Sequence, residues 1–132
     1  MEWTIKTSGI YPIEAAIRVL GDDLLIAVWG GTRPHIGAVA IAHSRPSLKD
    51  PEQVSTTTSV YTVIGHKEDT VARMMAAKIA AALNRMVVVT AGIHWDDLSP
   101  DAIKKIVEGC ETLTRKIIEE AKEKTGAKST ES

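Results

Sequence analysis

The chain has 132 residues, of which 16 are basic and 17 acidic, for a net charge of −1. That length suits one domain able to bury about two thirds of its unfolded surface, and the balanced charge argues against nucleic acid or a membrane surface as the main partner. The single Cys110 excludes an internal disulfide, no apolar run approaches the roughly 20 residues of a membrane helix, and Met1–Lys6 has no basic-then-apolar leader pattern; a soluble, cytoplasmic protein is expected.

Trp3 and Ile5 alternate with Thr4 and Lys6, which predicts a short first strand. A second strand follows at about 11–20, with Ile13, Ala15, Ile17 and Val19 on one face. Gly21-Asp22-Asp23 reads as a hairpin turn. The third strand, Leu24 to Trp29, and the fourth, about 36–43, are apolar on both faces, so both faces should be covered. Residues 44–53 carry Pro46, Lys49, Asp50 and Pro51 and read as an exposed loop. A fifth strand spans about 54–64.

The first helix is expected at about 67–84, where Val71, Met74, Met75, Ile79 and Leu83 recur at three-to-four spacing. Glu68 and Asp69 fall in its first turn, as the helix dipole favours. Met86 to Gly92 forms a sixth strand. In the second helix Ser99 is the cap and Pro100 the first residue, and an apolar stripe runs from Ile103 to Ala121 through Cys110, which reads as a buried thiol. The expected fold is α+β: a mostly antiparallel sheet of about six strands with two long helices, in the order β-β-β-β-β-α-β-α. Residues 1–125 form the single domain and 126–132 a flexible tail.

Three of the four histidines sit near a glycine in a predicted loop: His35 in Gly30-Gly31-Thr32-Arg33-Pro34-His35-Ile36-Gly37, His66 in Gly65-His66-Lys67-Glu68-Asp69, and His94 in Gly92-Ile93-His94-Trp95-Asp96-Asp97. With the third strand running up, the fourth runs down and the fifth and sixth run up. All three loops then lie at the top edge of one sheet, with both helix starts, and His43 falls near the bottom. Helix N-termini attract anions. Gly30, Gly31, Thr32, Arg33 and Lys67 could add backbone, hydroxyl and cationic donors for a phosphate. His35, His66 and His94 with Glu68 could hold a divalent transition metal, although the spacing matches no compact zinc motif. Trp95 or Trp29 could stack on a ring or simply cover the core, and Met74 and Met75 read as core filler.

These three motifs, in this order, resemble the LpdD-type family, small subunits that accompany UbiD-type decarboxylases of gallate and other hydroxybenzoates. The match spans about residues 9–110. The resemblance implies a non-catalytic role, handling prenylated FMN between a flavin prenyltransferase and the decarboxylase. It also implies a fold similar to the small proteasome-assembly chaperones, and it puts His35, His66 and His94 on the family's recurrent histidines, with Arg33 and Glu68 beside them. Two other readings stand beside it: a metal-dependent hydrolase or lyase using the same histidines, and a purely structural assembly subunit. The first is weakened because no Ser-centred nucleophile elbow or His-Glu-x-x-His is present. Two helices are too few to cover both faces of six strands, so a homodimer or higher homo-oligomer is expected.

Overall fold

The computed structural model describes residues 1–63 and 68–126. The order is β1 (Glu2–Lys6), β2 (Ile13–Leu20), β3 (Asp23–Gly31), β4 (Ala38–Pro46), β5 (Val54–Thr62), α1 (Glu68–Leu83), β6 (Val87–His94) and α2 (Pro100–Thr125). The α+β reading therefore holds, element by element. The strands form one sheet in the order β1-β2-β3-β6-β4-β5. Every neighbouring pair is antiparallel except β3 with β6. The loop expected from residue 44 starts later, because β4 continues to Pro46, opposite Val54. A proline is tolerated at that strand end.

Both helices lie on one face of the sheet. Ile13, Ala15 and Ile17 of β2, Leu24, Ile26 and Val28 of β3, Ala38, Ala40 and Ala42 of β4, and Val87, Val89 and Ala91 of β6 are buried beneath them. Helix α1 packs on β4, β5 and β6, and α2 packs on β1, β2 and α1. Ala72, Ala76 and Ala80 of α1 are all fully buried, as are the three alanines of β4. Small residues on both surfaces bring helix and sheet close, which explains how a core without phenylalanine fills its space.

The ends of the elements follow local chemistry. Asn84 takes a left-handed conformation (φ 53°) just after α1. Ser99 caps α2 by accepting the Ala102 N–H at 3.1 Å. Gly126 (φ 69°) ends α2, and its N–H donates to the Lys122 carbonyl. The tail expected beyond it, residues 127–132, lies outside the described residues. No helix among the described residues is long and apolar enough to cross a membrane.

Among the described residues, the opposite face of the sheet carries no helix. The expectation that both faces are covered is met on one side only within a single chain.

Cys110 is fully buried in the core. Burial, with the nearby Glu111 charge second, pushes its thiol up to about 12 from an ordinary 9.0. The folded state thus holds this proton more tightly than the unfolded chain does. Its contribution to stability is complete below about pH 9 and declines as pH rises from there towards 12. Native protein at pH 8 should react with a thiol reagent only at the rate of unfolding, and at once in denaturant. Immediate stoichiometric labelling of native protein would contradict the buried placement.

Candidate functional site

The structure puts the His35 and His94 loops at the edge that counting strand directions gave them. β3 ends at Gly31 opposite the end of β6 at His94, and β4 begins at Ala38 opposite Ala91. Helix α1 starts at the same edge, since Glu68 reaches Ile93. His35 and His94 therefore meet at this top edge. His43 lies farther down β4, opposite Thr57. The third histidine of the expected cluster, His66, lies outside the described residues with Gly65 and Lys67.

Arg33 links the two histidines. Its carbonyl oxygen is 2.8 Å from His35 Nδ1. A carbonyl only accepts, so Nδ1 carries the hydrogen. The other ring nitrogen, Nε2, lies 3.0 Å from Glu68 Oε1. The same Oε1 accepts the Ile93 N–H at 3.3 Å. Glu68 is buried, and its Oε2 has no hydrogen-bond partner among the described residues. On the far side, the Arg33 guanidinium is 2.8 Å from His94 Nε2, which is 2.9 Å from Asp96 Oδ1. A guanidinium only donates and a carboxylate only accepts. This trio therefore has two hydrogen-bond arrangements: a bare Nε2 accepts from Arg33, and an Nε2–H donates to Asp96.

The glycines serve chain packing. Gly31 adopts φ 91°, and a β-carbon there would collide with the His94 carbonyl. A side chain at Gly30 would press on Ile13 and Trp95. Thr32, expected to offer its hydroxyl to a phosphate, turns both its N–H (2.8 Å) and its hydroxyl (3.4 Å) to the His94 carbonyl. Gly37 and Gly92 were not singled out from sequence, yet they matter more. A β-carbon on Gly92 would overlap the His35 backbone, and one on Gly37 would overlap the Glu68 carboxylate. Their place beside the histidine motifs was the available signal. Together they let residues 32–37 lie flat against β6 and α1.

Beside this polar edge a groove of about 550 Å³ opens between the first turns of the two helices. That is the size of an ordinary small-molecule site. Val71 and Met74 of α1, Ile93 at the end of β6, Trp95 just after it, and Leu98, Ile103 and Val107 around the start of α2 form apolar walls, and Glu68, His94 and Glu111 also border it. Trp95 both packs and lines: its ring meets Tyr11 edge-on at 5.3 Å and borders the groove. Met75 is core, as expected, whereas Met74 is groove wall. Trp29 alternates with buried Val28 and so sits on the helix-free face. Among the described residues no group of three His, Cys, Asp or Glu side chains is placed to hold a metal ion. His35–Glu68 and His94–Asp96 are two separate pairs.

Residues 7–122 match the model of the prenylated flavin chaperone LpdD-like domain. The chain belongs to this family. It is 33% identical over 116 residues to Protein LpdD of Lactiplantibacillus plantarum, covering 88% of this chain and 81% of that protein. Family membership supports a chaperone role of a non-catalytic kind. The chain also resembles, at 16% identity and a TM-score of 0.48, a chain of a chaperone complex for yeast 20S proteasome assembly, over 89% of this chain and 98% of that one. That likeness is too loose to carry an argument.

Gly92→Ala should unseat the His35 segment and cost about 3 kcal/mol by overpacking, read by urea unfolding. Wild-type stability in this variant would show that the segment does not press on β6.

Proposed function

We propose that the chain is a carrier for prenylated FMN that serves a UbiD-type decarboxylase and receives the cofactor from a flavin prenyltransferase. The observation that carries this is the apolar groove opening onto the Glu68–His35–Arg33–His94 edge, in a chain of the LpdD-like family. An isoalloxazine ring is flat and apolar with a polar rim, and the groove offers a matching surface. Val71, Met74, Ile93, Leu98 and Val107 would contact the ring, Trp95 would close one side, and His94 and Glu68 would meet polar atoms at the rim.

The groove's own charges are acidic, Glu68 and Glu111, so a phosphate belongs outside it. Arg33 is the natural donor: its side chain is 71% exposed and, among the described residues, balanced only by Asp96 at 3.8 Å. Nothing in this set attacks or redistributes electrons in a substrate; its residues bind, orient and exclude water. When bound, the flavin supplies its chemistry to the decarboxylase that receives it. His35, His94 and Glu68, expected as metal ligands, do not converge as a metal site among the described residues.

Protein purified from a host expressing a flavin prenyltransferase should carry a modified flavin, detected by absorbance and mass. Met74→Trp, which fills the groove, should abolish that load without changing the helical circular dichroism. Colourless wild-type protein would overturn the carrier reading. For Arg33→Ala, affinity for FMN should fall about tenfold or more, the loss of a charge-assisted hydrogen bond, while affinity for riboflavin stays unchanged. Equal losses for both ligands would remove Arg33 from the phosphate site.

A further inference from the structure

A cleft of about 350 Å³ lies between α2 and the β1–β2 connection. It shares no residue with the groove, and its volume is at the small end of ligand sites. The connection is closed at its base. Thr7 N–H donates to the Ile13 carbonyl, and Ile13 N–H donates to Thr7 Oγ1, both at 2.9 Å. Between those bonds run Ser8, Gly9, Ile10 and Tyr11, all of which border the cleft. Among the described residues, none of their four backbone N–H groups has a hydrogen-bond partner. Gly9 has φ 103°, and turns with successive unpaired N–H groups form concavities that hold anions.

The helix wall of the cleft carries a second, independent signal. Gly109 stands inside α2 and borders the cleft. Glycine inside a helix destabilises it relative to alanine. Packing does not require one here, because a β-carbon would meet only Ile13 Cγ1, at an ordinary 3.6 Å. A glycine that neither a turn nor a close neighbour demands leaves the backbone open to a ligand. Charge gives the ligand's sign. Lys105 is balanced by Asp101 at 4.0 Å and lies three residues from Glu108, which also borders the cleft. Lys116, on the same wall, has no acidic partner among the described residues. One turn before it, Thr112 Oγ1 accepts from the Arg115 guanidinium at 3.1 Å, so that hydroxyl's own hydrogen is left to donate.

We infer that this cleft is a second binding site, for phosphate or a small phosphate monoester. Lys116 supplies the uncompensated charge, Thr112 an O–H, residues 8–11 the backbone donors, and Gly109 the clearance. The site stands apart from the flavin reading, since neither Arg33 nor any groove residue borders it.

The test is a titration of the full chain with inorganic phosphate and with glycerol 2-phosphate in chloride buffer, followed by amide chemical shifts. Saturable shifts should centre on residues 8–11, Gly109 and Thr112. Tighter binding of the ester assigns the site to a phosphorylated small molecule, and tighter binding of inorganic phosphate assigns it to the free ion. Lys116→Ala should weaken phosphate binding about tenfold, as loss of a charge-assisted hydrogen bond does, while Arg33→Ala leaves it unchanged. Gly109→Ala should weaken it at least as much, with a thermal midpoint equal to or above that of the wild type. Shifts that do not saturate, or that centre on Arg33 or the groove, would overturn the proposal. So would a Gly109→Ala chain that binds phosphate like the wild type, or one with a lower midpoint, which would assign the glycine to packing.

Discussion

The carboxylate of Glu68 is where three parts of the chain meet. It stands at the start of α1, takes the N–H of Ile93 near the end of β6, and pairs with His35 from the β3–β4 connection. A buried carboxylate without partners is costly, so those groups must stay where they are. Because His35 is more than a third exposed, solvent screens part of the pair's attraction. Its main effect is therefore positional. It fixes the Arg33 backbone against the His35 ring, and Arg33 in turn reaches His94.

The rest of the architecture makes room for that meeting point. Alanine on alanine between α1 and β4 draws the helix down onto the sheet, while α2 packs over β1 and β2. The helices touch each other, but at their starts Val71, Met74, Ile103 and Val107 line an open groove. A core of larger side chains would hold the helices farther from the sheet. Gly37 and Gly92 act in the same sense at the top edge, where any side chain would displace either the carboxylate or the His35 backbone.

Much of this was legible in the sequence because it depends on direction and periodicity. The up-and-down count put His35 and His94 at one edge and His43 away from it, and the cap at Ser99 was readable from residue types alone. The groove was not legible. Met74 and Val107 repeat at helical spacing just as core residues do, and only the placement of the two helices decides which of them face a gap. Gly30 and Gly31 were read as backbone donors to a phosphate, but Trp95 and the His94 backbone lie where their side chains would be. The sequence pattern marks a close approach without saying what approaches. Likewise, strands apolar on both faces signalled a second covered surface, and the helices of one chain reach only the first.

The most direct test of this account is a double-mutant cycle on His35→Ala and Glu68→Gln, read as unfolding free energy in urea. If the contact organises the site edge, the two changes couple by about 1 kcal/mol or more. Additivity within about 0.3 kcal/mol would mean that His35 and Glu68 act independently, and the site would lose the constraint from which its geometry has been built.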